Sequence, residues 1–155
     1  MKLYILIFWM FISYVDAQSR VGEWDVHLNY SEGNCLFSKE NVIYTGTSSQ
    51  FFTYNQSDNS IESFSKLNGL NDTNVTAINL DSDSDILIIG YENGNVDLIL
   101  KNQVINIPYI KNSNNIVGSK KINDIHINQG AAYLACDFGL VKIDINRIVQ
   151  DIILK

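Results

Sequence analysis

Three carboxylates stand at alternate positions in Asp81-Ser82-Asp83-Ser84-Asp85, the spacing with which a calcium loop opens, and Glu92 occupies the twelfth place, where such a loop closes. The sixth place is Ile86 rather than the Gly that the sharp turn of that loop requires, and the residues after it read as a strand. An acidic turn is therefore expected here, and no metal is assigned. His27 and His126 are the only two histidines. Asp124 lies two residues before His126, so the two share one face of a strand and could pair. The sequence has no G-x-S-x-G, no H-E-x-x-H and no metal-spaced cysteine pair, so these residues do not assemble an active site. No catalytic residue and no cofactor is assigned.

Cys35 and Cys136 differ in their place in the chain pattern, one on a first strand and the other at the end of a second, with a whole unit between them. A bond needs Cα atoms within about 7 Å, so two buried free thiols are expected. Trp24, Tyr30, Tyr44, Tyr54, Tyr91, Tyr109 and Tyr133 could stack on sugar faces, but most fall at alternating strand positions and read as core. Tyr91 and Tyr109 flank loops and are the candidate ligand-binding residues.

The elements that must position these residues repeat. Val42-Ile43-Tyr44 runs into Thr45-Gly46 and then Phe51, Phe52 and Tyr54; Ile86 to Ile89 runs into Gly90 and then Val96 and Leu98; Ala132 to Leu134 runs into Ala135-Cys136 and then Val141 and Ile143. Gly46, Gly90 and Cys136 are equivalent, with spacings of 44 and 46 residues. That period is the one expected of a four-stranded propeller blade, at about 40 to 50 residues per repeat. The predicted strands are Cys35 to Phe37, Val42 to Thr45, Gln50 to Tyr54 and Ile61 to Phe64; then Val75 to Leu80, Ile86 to Tyr91, Val96 to Leu100 and Val104 to Ile107; then Ile122 to Ile127, Ala131 to Cys136, Leu140 to Asp144 and Ile148 to Leu154. Val75 to Leu80 and Ile122 to Ile127 are expected as equivalent innermost strands. Trp24 to Leu28 reads as a further strand that completes the last blade of a ring. Asn93-Gly94 predicts a type I′ hairpin, in which both central residues take positive φ.

The chain is thus expected to be all-β, an incomplete β-propeller of about three four-stranded blades belonging to a larger one. The blades fall at 34–66, 75–110 and 122–154. Residues 1–17 read as a signal peptide: Lys2 is followed by the apolar run Leu3 to Val15, and Val15-Asp16-Ala17 ends in a small residue where peptidase cuts. The run is shorter than the roughly 20 residues of a membrane-spanning helix. Export to the periplasm or the outer-membrane cell surface is expected. Residues 18–155 hold three blades, whereas closed propellers use typically about 4 to 8, so a fragment of a longer protein is expected, a reading strengthened by the strand predicted at the C-terminal end.

Composition agrees with a folded β domain: 46% apolar, 18% charged, with a single Pro. Asn and Ser crowd the stretches between apolar runs, where their side chains suit turns. The net charge of −6, without a basic stripe, argues against nucleic acid.

The stretch K-L-N-G-L-N-D-T-N-V-T-A-I-N-L at Lys66 to Leu80, followed by L-I-I-G-Y-E-N-G at Leu87 to Gly94, closely resembles the propeller repeat of two-component regulators. More specifically, G-E-W-D-V-H-L-N-Y-S-E-G at Gly22 to Gly33, D-N-S-I-E-S-F-S-K-L-N-G-L at Asp58 to Leu70 and Y-E-N-G-N-V-D-L-I at Tyr91 to Ile99 resemble the N-terminal propeller of the PorZ family of the type IX secretion system. Asn29 departs from the pattern, standing where a Pro is expected after His-Leu. The resemblance implies a non-catalytic accessory at the outer membrane, beside a sortase complex of PorU, PorV and PorQ, that helps process cargo and attach it to anionic lipopolysaccharide. It implies two N-terminal propellers and a C-terminal β domain in the whole protein. The alternative is the periplasmic glycan-sensing propeller of a hybrid two-component regulator, and a propeller lyase or glycosidase comes third. The carboxylates of such an enzyme would come from different blades and have no sequence signature.

Overall fold

Apolar side chains at every second position, between clusters of Asn, Asp, Ser and Gly, make strands that each bury one face or both. The computed structural model describes residues 32–153 except residue 102. The signal peptide, the strand expected at Trp24 to Leu28, and His27 lie outside the described residues. The first sheet runs β1 (Gly33–Lys39), β2 (Val42–Thr47), β3 (Phe51–Asn55) and β4 (Ile61–Phe64), paired in that order. The second runs β5 (Val75–Asp81), β6 (Ile86–Tyr91), β7 (Val96–Leu100) and β8 (Gln103–Ile107) in the same way. It is followed by the short helix α1 (Tyr109–Asn112). The third has three strands, β9 (Ile122–Asn128), β10 (Ala131–Cys136) and β11 (Gly139–Asp144), with β10 in the middle. All neighbours are antiparallel. These are successive blades of an open propeller.

The described part of the strand expected at Ile148 to Leu154, up to Ile153, is instead in helix α2 (Ile145–Ile153). Ile145, Ile148 and Ile152 recur at helical spacing, three and four apart. The Asp144 carboxylate accepts the Arg147 N–H at 3.0 Å, satisfying a donor that an uncapped first turn leaves open. Ile145 is fully buried, and Ile148 packs against the core. The β-branched run suits either structure, and the cap and tertiary packing decide it. The third sheet therefore ends at three strands.

Turn chemistry also departs from expectation. At Asn93-Gly94 only Gly94 takes positive φ, 82°, while Asn93 is not among the residues that do. The Tyr91 carbonyl accepts the Gly94 N–H at 3.1 Å and the Asn95 carbonyl accepts the Tyr91 N–H at 3.1 Å. This is a type I turn followed by a left-handed Gly, the three-residue hairpin with a bulge. The two-residue turn with both centres positive occurs at Gln129 (φ 50°) and Gly130 (φ 73°).

The innermost strands β1, β5 and β9 lie side by side. Two devices, each repeated, lock neighbouring blades there. First, the glycine one residue before the end of a blade's second strand leaves room for the first residue of the next blade's inner strand. A Cβ on Gly46 would stand 2.4 Å from Val75 Cγ1, and one on Gly90 would stand 2.8 Å from Ile122 Cγ2. Second, an inner-strand polar side chain donates to a backbone carbonyl one blade on. Asn34 Nδ2 reaches the Val75 carbonyl at 3.3 Å, Thr76 Oγ1 the Ile122 carbonyl at 2.6 Å and Asn79 Nδ2 the Ile125 carbonyl at 2.6 Å.

Two cores result. Between the second and third blades, Ile86, Ile88, Val96, Leu98, Ile107, Ile122, Ile125, Leu134 and Ile145 form an aliphatic cluster. Between the first and second, Phe51, Leu70, Val75, Ile78, Leu80, Leu87, Ile89 and Tyr91 form one edged by Phe37, Tyr44 and Phe64. No helix among the described residues is long and apolar enough to cross a membrane.

Candidate functional site

The acidic turn after β5 is occupied by its own contacts. The Asp81 carboxylate accepts the Asp83 N–H and the Ser84 hydroxyl, while Asp85 faces Lys39 at 3.7 Å. Glu92 lies at the other end of the blade, where it accepts Asn74 Nδ2 at 2.8 Å. On β9, Asp124 accepts its neighbour's N–H, that of Ile125, at 2.9 Å, and among the described residues no hydrogen bond joins it to His126. Both thiols are free; Cys136 is buried, whereas Cys35 is only half-buried, against expectation. Burial pushes the Cys35 thiol up to about 11, only partly offset by a backbone hydrogen bond at Gly46. Burial, and then Asp137, raise that of Cys136.

The two candidate tyrosines part company. Tyr109 is 81% exposed on α1. Tyr91 is 0% exposed, so its ring offers no face to a ligand, and its hydroxyl donates to Asp97 Oδ2 at 2.6 Å. Burial, reinforced by the Asp97 charge, pushes that phenol far above its usual range. Its position beside a hairpin suggested exposure, but its side chain lies in the cluster with Leu70, Val75 and Ile89 between the first two blades.

Tyr91 belongs to a polar network that the sequence motifs contained without declaring it. Asp97 is fully buried and accepts from the Asn71 N–H (2.8 Å), Asn71 Nδ2 (3.0 Å), Tyr91 and Asn106 Nδ2 (2.8 Å). Asp72 accepts from Asn93 Nδ2 at 2.7 Å, Asn95 Nδ2 at 3.3 Å and Lys111 Nζ at 2.5 Å. Burial is the largest single influence on Asp72 and would raise its carboxyl. The hydrogen bonds from Lys111, Asn93 and the Thr73 N–H, with the Lys111 charge, together outweigh it and hold the group below the usual carboxylate range. Asn71, Asp72, Tyr91, Asn93, Asn95 and Asp97 are six of the polar letters of N-D-T and Y-E-N-G-N-V-D, so those motifs encode the clamp that ties the loop before β5 to the hairpin after β6.

Of the clefts that open on this framework, two bear on the blade repeat. One, of about 300 Å³, lies where the inner strands begin and is lined by Asn34, Asn74, Thr76, Glu92, Lys121 and Asn123. Asn34, Thr76 and Asn123 occupy the same position in successive inner strands, so the blade repeat itself builds this polar rim. The other, of about 290 Å³, opens between the first two blades. Tyr44, Phe51 and Phe64 form one wall, Leu87 and Ile99 the opposite one, and Thr53, Asn55, Ser60 and Glu62 the rim. Tyr44 and Phe51 stack at 6.3 Å between centroids, and Phe51 meets Phe64 at 5.4 Å. Tyr44 read as core in the sequence, and nothing in its own strand signals a cleft.

Comparison with known proteins agrees with this architecture. No curated protein matches the chain. Among solved structures, PorZ, described as an essential bacterial surface component of the type IX secretion system of Porphyromonas gingivalis, superposes with a TM-score of 0.68 at 23% identity, over 75% of this chain and 16% of that one. The extracellular domain of a protein from B. thetaiotaomicron described as a one-component system superposes with a TM-score of 0.64 at 13% identity, over 80% of this chain and 17% of that one. A structure described as the extracellular domain of a hybrid two-component system from B. thetaiotaomicron gives 0.57 at 20%, over 77% and 16%. The chain thus spans about a sixth of the length of these proteins. These likenesses speak for the fold. The sequence profile of the N-terminal β-propeller domain of PorZ, of the type IX secretion system, matches residues 43–151, and the chain belongs to that family.

Proposed function

We propose that this chain serves as the first part of a non-catalytic, surface-exposed accessory of type IX secretion, one that helps the sortase complex process cargo and attach it to anionic lipopolysaccharide. The observation that carries this reading is the family match over residues 43–151, which runs from β2 of the first blade through the third blade. The apolar run Leu3 to Val15 and the small residue Ala17 support export, with Gln18 as the first residue after cleavage. PorU, PorV and PorQ are the proposed partners. Tyr109, projecting from α1 beside the clamp at Lys111, is the proposed aromatic contact for a glycan. Tyr91 acts from beneath, by holding Asp97 and so the hairpin.

The test is affinity purification of the full-length protein from native outer membranes. Sortase-complex subunits should co-purify, and deletion of the gene should leave cargo unprocessed or unattached. Normal cargo attachment in the deletion strain would overturn the reading. A membrane helix and kinase motifs in the reading frame after Lys155 would instead select the sensor.

A further inference from the structure

The blade repeat allows the two inter-blade faces to be compared position by position. Gly46 pairs with Phe51 as Gly90 pairs with Val96, and Phe51 pairs with Phe64 as Val96 pairs with Ile107. Continuing the register, Thr53 corresponds to Leu98, Glu62 to Ile105, and Asn55 to Leu100. On the second blade, Leu98, Ile105 and Leu100 join the aliphatic core against the third. On the first blade the same three positions carry a hydroxyl, a carboxylate and an amide, facing Leu87 and Ile99 of the second. Polar groups at core-facing positions of a repeat weaken packing unless something uses them. Here they hold the interface open as the 290 Å³ cleft.

The chemistry of that cleft is one-sided. Among the described residues, its only charged lining residue is Glu62, which is exposed and pairs there with no Lys or Arg. Burial, and then the charges of Asp85 and Glu40, hold the Tyr44 phenol above its usual range, with Asp85 itself paired to Lys39 at 3.7 Å. A stacked aromatic wall, an aliphatic wall opposite and a carboxylate at the mouth suit a flat cation on an apolar stem. We propose that the cleft between the first and second blades binds the arginine side chain of a partner polypeptide. Its guanidinium is bound bidentately by Glu62 and its stem lies between Tyr44 and Phe64 on one side and Leu87 and Ile99 on the other. Thr53, Asn55 and Ser60 supply acceptors for the remaining N–H groups.

The test titrates the full chain with the peptide acetyl-Gly-Gly-Arg-Gly-Gly-amide, followed by tyrosine fluorescence and calorimetry. Saturable binding is expected, and the isosteric but uncharged citrulline peptide should bind about tenfold more weakly or worse. Glu62→Gln should weaken the arginine peptide by a similar factor. The double variant Thr53→Leu/Glu62→Ile, which copies the second blade, should stay folded and lose binding. Equal affinity for the arginine and citrulline peptides, or undiminished affinity in Glu62→Gln, would overturn the proposal. So would the absence of saturable arginine-peptide binding at millimolar concentration, including the case in which a neutral oligosaccharide such as maltohexaose binds in its place.

Discussion

The interface between the first two blades and that between the second and third share a backbone plan and differ in what fills them. Both use a glycine to admit the next inner strand, at Gly46 for Val75 and at Gly90 for Ile122. Both use an inner-strand polar side chain to reach a carbonyl one blade on, Asn34 for Val75 and Thr76 for Ile122. Beyond the inner strand they diverge. The second interface is closed by Leu98, Ile107, Ile125 and Leu134, all nearly or fully buried, with Ile145 of α2 added. The first keeps Phe51 and Tyr91 buried near the inner strand, then opens among Thr53, Asn55 and Glu62. Stacking geometry therefore resides in the inner strand, which leaves the outer half of each face free to favour either packing or recognition.

The comparison would break first at Leu98. Leu98→Ala empties a fully buried site and should destabilise by about 2–5 kcal/mol. Its counterpart Thr53→Ala borders the open cleft and should change stability by less than about 0.5 kcal/mol. Denaturant unfolding of the two variants measures the contrast directly, and equal losses would mean that the faces are energetically alike. Next come the shared glycines. Gly90→Val would drive a side chain into Ile122, and about 1–3 kcal/mol should be lost to overpacking. Gly46→Val should do likewise against Val75, and a variant without effect at either position would show that the inner strands are not locked as described.

The clamp beside the first interface gives two smaller effects. Tyr91→Phe removes the hydroxyl from Asp97 and should lower stability by about 1–2 kcal/mol. The folded pKa of Asp72 lies below its ordinary value. Its contribution is therefore fully present above the unfolded carboxylate value near about pH 4 and is lost as pH falls through the lowered folded value. Thermal melts between neutral and strongly acid pH should show this loss, and Asp72→Asn should flatten that part of the profile. The smallest expected effect sharpens the comparison from the opposite side. Thr53→Leu/Glu62→Ile should raise stability by about 1 kcal/mol by burying apolar surface against Leu87 and Ile99.

Much of the fold was legible in the chain, because period-two alternation between Asn- and Gly-rich turns leaves a strand few alternatives. Ile86–Tyr91, Val96–Leu100, Ile61–Phe64 and Ala131–Cys136 begin and end where the sequence places them. The equivalence of Gly46 and Gly90 was likewise in the sequence, since a repeat that stacks on itself must recur in its letters, but the sheet register puts Ala135 rather than the expected Cys136 at that place in the third blade. Helix α2 was not, because an Ile- and Val-rich run satisfies strand and helix alike until the Asp144 cap and the seat of Ile145 select one. Nor was the turn type at Gly94, where the bond between Tyr91 and Asn95 sets the loop length.

By itself the sequence determined the repeats along this chain, their order and the family, because these depend on local pattern and spacing. Which tyrosine is buried, which polar letters form the clamp and which interface stays open were decided only by the tertiary structure. Each depends on what a neighbouring blade places opposite a side chain, and residues that meet across a blade interface, such as Thr76 and Ile122, are 46 positions apart in the chain.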